Sequence, residues 1–118
     1  MGFDIYGVAA KSERGEYFRN NIWWWRPMQL LISLSSREIL TEEEVVELGI
    51  NDGHVFSEEQ ALVIAENLSS LAENDEVFAQ VQELITGALG KPYDKCFSKE
   101  NVLEFIGFLK ESGGFKVC

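Results

Sequence analysis

The densest chemistry in the chain lies in Tyr17-Phe-Arg-Asn-Asn-Ile-Trp-Trp-Trp-Arg-Pro27. All three tryptophans of the protein stand here in succession, bracketed by Arg19 and Arg26, with Asn20 and Asn21 just ahead of them. Neither helix nor strand geometry buries three consecutive large side chains on one face, so at least one of Trp23, Trp24 and Trp25 must point away from a core. An indole flanked by guanidinium and amide groups can stack on a base or a sugar, or anchor a protein partner. The competing reading is structural: indoles fill the core of a small domain, one covers its edge, and Arg26 lies across an aromatic face. Both readings stand at this point.

A second candidate is electrostatic. The chain carries 10 Lys and Arg against 20 Asp and Glu, a formal charge of −10. The excess is confined to residues 41–90, which hold twelve acids and no Lys or Arg, whereas the segments on either side each hold five bases and four acids. Glu59, Glu66 and Glu73 recur every seven residues and would form one outward stripe on a helix. Such a surface can imitate nucleic-acid phosphates, occupy a basic protein groove as some small phage inhibitors do, and steer a basic partner at low salt. Helix-dipole preference offers the plainer account for the acids in first turns, Glu42, Glu43, Glu58, Glu59, Asp75 and Glu76.

Signals for catalysis are poor. His54 is the single histidine and Cys96 and Cys118 are the two cysteines, which do not compose a zinc ligand set. The Asn51-Asp52-Gly53 turn lacks the alternating oxygen ligands of a calcium loop. No phosphate loop, nucleophile elbow or dinucleotide fingerprint is present, and a Cys96–His54 pair has no local support. The expectation is a protein without metal or cofactor, and not an enzyme.

The elements that must position these residues follow from periodicity. Loose alternation over Phe3–Ala9, a polar Lys11–Gly15 connection and Tyr17, Phe18 and Ile22 predict a β-hairpin across residues 3–22. Pro27 suits a first helical turn, so a helix over about 27–36 is expected. Thr41 with Glu44, and Ser57 with Gln60, are capping boxes. The second opens the strongest helix, with Ala61, Ile64, Ala65, Leu68, Leu71 and Ala72 at helical spacing. A break at Glu73-Asn74-Asp75 leads to another helix ending near Gly90. Ser98 caps a last one, stopped by Gly113-Gly114, and Phe115–Cys118 alternates as a short strand beside the hairpin. The fold expected over residues 1–118 is therefore a single α+β domain, mostly helical with four to five helices and a small antiparallel sheet built from both chain ends.

With 46% hydrophobic residues the chain is too apolar for a disordered acidic tail. No apolar run approaches the ~18 residues of a membrane span. The negative charge argues against nucleic-acid binding through general phosphate attraction. No secretory signal is read at the N-terminus, Tyr6 stands where a myristoylation signal needs Ser or Thr, and a cytoplasmic setting is the expectation.

The segments Met1-Gly-Phe-Asp-Ile-Tyr-Gly7, Gly15-Glu-Tyr-Phe-Arg-Asn-Asn-Ile-Trp-Trp-Trp-Arg-Pro27 and Phe108-Leu-Lys-Glu-Ser-Gly-Gly-Phe-Lys-Val-Cys118 resemble a family of small bacterial and phage proteins. That family has no established activity, so the resemblance implies a prokaryotic or mobile-element setting and transfers no catalytic residue. The sequence thus points first to a non-enzymatic acidic interaction module, of the phage inhibitor or accessory-factor kind. It would bind a basic protein surface through Glu59, Glu66 and Glu73, the Trp/Arg segment, or both. The alternative is a nucleotide- or sugar-binding protein or enzyme whose site is Arg19, Asn20, Asn21, Trp23, Trp24, Trp25 and Arg26.

Overall fold

The computed structural model of the chain describes residues 2–118. Strands β1 (Gly2–Gly7) and β2 (Tyr17–Asn21) form the N-terminal hairpin, with Ile5 opposite Phe18 and Phe3 opposite Asn20. A two-residue strand, β3 (Val55–Phe56), and a C-terminal strand, β4 (Phe115–Val117), complete the sheet. Strand β4 pairs antiparallel with the free side of β1, as its alternation predicts, and β3 pairs with β4 to give the order β2-β1-β4-β3. Strand β3 is too short to leave a period-2 signature, so nothing in the sequence announces it.

Five α-helices cover the sheet and one another: α1 (Ile22–Ser35), α2 (Glu42–Glu47), α3 (Glu58–Glu73), α4 (Asp75–Leu89) and α5 (Lys99–Ser112). The capping boxes of α2 and α3 form as expected. The Thr41 and Ser57 hydroxyls take the N3 amides, and Glu44 and Gln60 reach back. Asn74 caps α4 and Ser98 caps α5. Gly113 closes α5 with φ 68°, the left-handed conformation that glycine adopts without steric cost.

Helix α1 departs from the sequence reading. It starts at Ile22 rather than Pro27, because the Asn21 side chain accepts from the Trp24 N–H at 3.2 Å and caps the helix there. Pro27 consequently sits inside α1, where it has no N–H to offer the Trp23 carbonyl. This shift decides the fate of the tryptophans. They occupy successive positions about 100° apart around a helix, and only one can face the core.

That one is Trp25, which is fully buried. Its indole N–H donates to the Leu48 carbonyl at 2.8 Å, so the ring carries no unpaired polar atom into the core. Trp25 belongs to an aromatic column, 6.1 Å from Phe3 of β1 and 5.6 Å from Phe105 of α5. Phe105 continues to Phe18 and Phe115, and Phe115 stacks on Phe56 at 4.7 Å. The column ties the sheet to α1 and α5 through one core. The folded surface of 6317 Å² is close to what area scaling gives for one compact chain of this mass.

Candidate functional site

The Trp/Arg segment is split by the helix that contains it. Trp23 is 46% exposed and leans on Tyr93 at 5.5 Å. Trp24 is half-buried and lines an open depression of about 420 Å³ between the hairpin and the start of α5. Arg26 turns away from that depression, with its guanidinium 5.3 Å from the centre of the Phe3 ring and hydrogen-bonded to Gln29 at 2.7 Å. The cation–π expectation for Arg26 is met, on a phenylalanine of β1. The depression therefore gathers Arg19, Asn20, Asn21 and Trp24, but neither Trp23, Trp25 nor Arg26.

Most polar groups of this depression are occupied by the fold. Asn20 and the α5 residue Asn101 exchange two amide hydrogen bonds of 3.0 Å each, which satisfies a largely buried side chain. Asn21 and Ser98 are helix caps. Tyr17 donates to Asp4 at 2.5 Å, and Arg19 pairs with the same carboxylate oxygen at 2.7 Å. The bonds from Tyr17 and Arg19 hold the Asp4 carboxyl below its usual range. What stays available at the mouth is the Trp24 indole with the exposed carboxylates Glu100 and Glu104. Those two acids stand far from the segment in the chain, and no sequence pattern joins them to it. One guanidinium already neutralised by Asp4 and two carboxylates make this a poor seat for a phosphate.

The Asn20–Asn101 pair has a measurable consequence. Asn101→Ala leaves the Asn20 Oδ1 without its donor, while the Asn20 Nδ2 keeps the Arg19 carbonyl at 3.0 Å, and is expected to cost about 1–3 kcal/mol in denaturant unfolding. Asn20→Leu with Asn101→Leu together should cost less than the sum of the two single changes.

The acidic candidate comes out differently. Glu59 and Glu66 are exposed on α3 as expected, with the exposed Leu62 between them. Glu73 is exposed too, but the C-terminal end of the helix shares a depression with Arg14 and Lys110, so the stripe is not of one sign along its whole length. Of the other acids in residues 41–90, Glu58 pairs with Lys11 at 2.8 Å and Asp75 with Lys99. Glu42, Glu43, Glu59, Glu66, Glu76 and Glu83 are exposed without an ion pair among the described residues. Helix-dipole preference accounts for those in first turns, Glu42, Glu43, Glu59 and Glu76. It does not account for Glu66 in mid-helix, nor for Glu83 in the second half of α4.

Glu44 serves the fold instead. One of its oxygens accepts from the Thr41 N–H at 3.1 Å and the Gln60 amide at 2.9 Å, while the other lies 3.1 Å from His54 Nε2. Burial alone would raise its carboxyl, but the bonds from His54, Thr41 and Gln60 outweigh that and hold it below the usual carboxylate range. A depressed carboxyl contributes stability that is present above its unfolded pKa and lost as pH falls through the folded one. The stability difference between the protein and its Glu44→Gln variant should therefore be full at neutral pH and shrink on acidification below about pH 4.5. Urea unfolding of both proteins from neutral to acid pH reads it. No group of three or more His, Cys, Asp or Glu is placed to hold a metal ion among the described residues, and both cysteines are free.

The feature that sequence reasoning missed is an apolar groove of about 350 Å³ lined by α1, α3 and α4. Leu31 forms its floor, and the rims carry Leu34 at 57% and Leu84 at 63% exposure. Each of these leucines fits the apolar stripe of its own helix, so nothing local distinguishes a rim residue from a core residue. No described helix is long and apolar enough to cross a membrane. The fold thus defines an α+β domain in which helices α3 and α4 carry no Lys or Arg of their own. Comparison of the chain with protein-family models, with curated proteins and with solved structures finds no match.

Proposed function

We propose that the protein is a non-enzymatic acidic interaction module that binds a basic protein surface through its α3–α4 half. The observation that carries this reading is the carboxylates Glu59, Glu66, Glu76 and Glu83, exposed and without an ion pair among the described residues, on two helices that contain no Lys or Arg. A predominantly negative field of this kind raises the encounter rate with a basic partner, falls steeply with ionic strength and repels nucleic acid. Exposed Leu62 and Leu84 among the acids supply apolar contact, which charge alone does not give. An inhibitor or accessory factor acting by occlusion needs no more than this.

The test is capture from a bacterial lysate on the immobilised protein at about 0.05 M and about 0.5 M salt, where screening lengths differ several-fold. The expected result is retention of proteins with basic surfaces at low salt and their loss at high salt. Retention that ignores salt, or that favours acidic proteins, overturns the reading.

A second reading keeps one observation, the depression lined by Trp24, Asn21 and Glu104. An indole with carboxylates and amides suits a neutral sugar better than a nucleotide. Saturable change of tryptophan fluorescence with a sugar, abolished by Trp24→Phe, would support it.

A further inference from the structure

We infer that the groove between α1, α3 and α4 receives the apolar face of a cationic amphipathic helix; the inference rests on the reading of the protein as an acidic interaction module. The groove has the character that helix-in-groove recognition needs. A buried leucine floor, Leu31, lies between exposed leucine rims, Leu34 and Leu84. On α4 the apolar stripe extends beyond the groove itself, because Val77, Leu84 and Ala88 are all exposed along one side of the helix. An incoming helix would set residues spaced i, i+3 or i+4 and i+7 along such a stripe.

The charge around the groove decides what the rest of that helix must be. Asn67, on its wall, donates to the Glu38 carboxylate at 3.1 Å and so fixes a negative charge at one end. Glu66 stands beside Asn67 on α3 and Glu83 beside Leu84 on α4, both exposed and unpaired among the described residues. The three helices carry a single cation, Arg26, which is committed to the Phe3 ring and Gln29. Arg37 lies beyond the end of α1. Lys or Arg on the polar flanks of the bound helix would meet these carboxylates, as charged flanks do in paired helices. A second copy of the chain is disfavoured by the same charges, since two molecules of −10 would press like-signed helices together.

The experiment titrates the full chain with a synthetic amphipathic peptide of about 18 residues, roughly five turns, with Leu on one face and Lys on the other. The counterpart with Glu in place of every Lys is the control, and binding is followed by calorimetry and by amide and methyl chemical shifts. The Lys peptide is expected to bind, with shifts at Leu34, Leu71, Val81 and Leu84, and the Glu peptide is not. Leu34→Gln with Leu84→Gln, at exposed positions that leave the core intact, should weaken binding at least about tenfold. Glu59→Lys with Glu66→Lys is run in parallel. If charge reversal abolishes binding while the leucine variant binds normally, the groove is overturned and the acidic reading survives. If neither variant matters, or the Glu peptide binds equally well, both fall. A dimer of the free protein that Leu84→Gln dissociates would assign the groove to a second copy and overturn the inference. Should the leucine variant misfold, the shift footprint on the unaltered chain decides alone, and a footprint elsewhere overturns the groove.

Discussion

Trp25→Ala should unfold this protein or come close to it, while Trp23→Ala changes stability by less than about 1 kcal/mol. Truncating a fully buried aromatic costs roughly 3–5 kcal/mol, against a total of about 5–15 kcal/mol for a domain. Trp25 is at the costly end for two reasons. Its ring bridges Phe3 of the sheet and Phe105 of α5, so the cavity opens between elements that meet there. Its indole N–H also satisfies the Leu48 carbonyl at the end of α2, which Ala would leave without that donor. Trp25→Phe separates the two contributions, since it keeps much of the volume and loses the donor. Trp23 is nearly half exposed and leans on Tyr93 alone among aromatic neighbours, so its truncation removes one edge contact. Urea unfolding of the three tryptophan variants reads the ranking, with Trp24→Ala between the others because it is half-buried. Equal losses at Trp23 and Trp25 would contradict the placement of α1.

Reversing Glu59 and Glu66 to Lys should cost on the order of 100-fold in the association rate of a cationic partner at low salt, with much of the difference gone at about 0.5 M salt. Each reversal changes the charge by two, so the pair takes the chain from −10 to −6. Both positions are exposed and unpaired among the described residues, so the fold is expected to persist. Glu73, the third residue of the stripe, belongs in a separate variant. It shares its depression with Arg14 and Lys110, and Glu73→Lys would crowd three cations at the end of α3. Its effect on binding should be the smallest of the three and its effect on stability the largest. Stopped-flow association with the Lys-rich peptide at two salt concentrations measures the series. An unchanged rate in the Glu59/Glu66 double variant would remove electrostatic steering by α3 from the account.

The two experiments bear on different parts of the molecule, and the division has a structural cause. The near-neutral ends of the chain build most of the sheet, α1 and α5, and supply most of the buried apolar residues, the aromatic column among them. The acidic middle supplies α2, α3 and α4, which pack on that core through one side and present the other side to solvent. Most of the buried core thus comes from the segments where the charge is balanced, and the proposed interaction surface lies where it is not.

Where a local interaction decides the outcome, the sequence is sufficient. The Thr41 and Ser57 capping boxes, the Ser98 cap and the Gly113 stop involve residues within about one helical turn of each other, and each forms as the residue types require. The α+β class and the strand at the C-terminus follow from periodicity alone. The start of α1 does not, because Asn21 and Pro27 are both acceptable helix openers. Only the register of β2 against β1 brings the chain to Asn21 ready to cap. With that start in place, the three tryptophans separate into core, depression and surface. The same limit applies to charge and to apolar rims. Composition shows that residues 41–90 are acidic, but only packing sets Glu73 on the same depression as Arg14 and Lys110, ties Glu44 to His54, and leaves Glu66 and Glu83 exposed without partners among the described residues. Leu34 and Leu84 are apolar-face residues in sequence, yet they end up at solvent on a groove that also takes in the buried Leu31. A sequence specifies which side of each helix is apolar. How far apart two such sides stand is set by everything packed between them, and that distance makes a groove or a core.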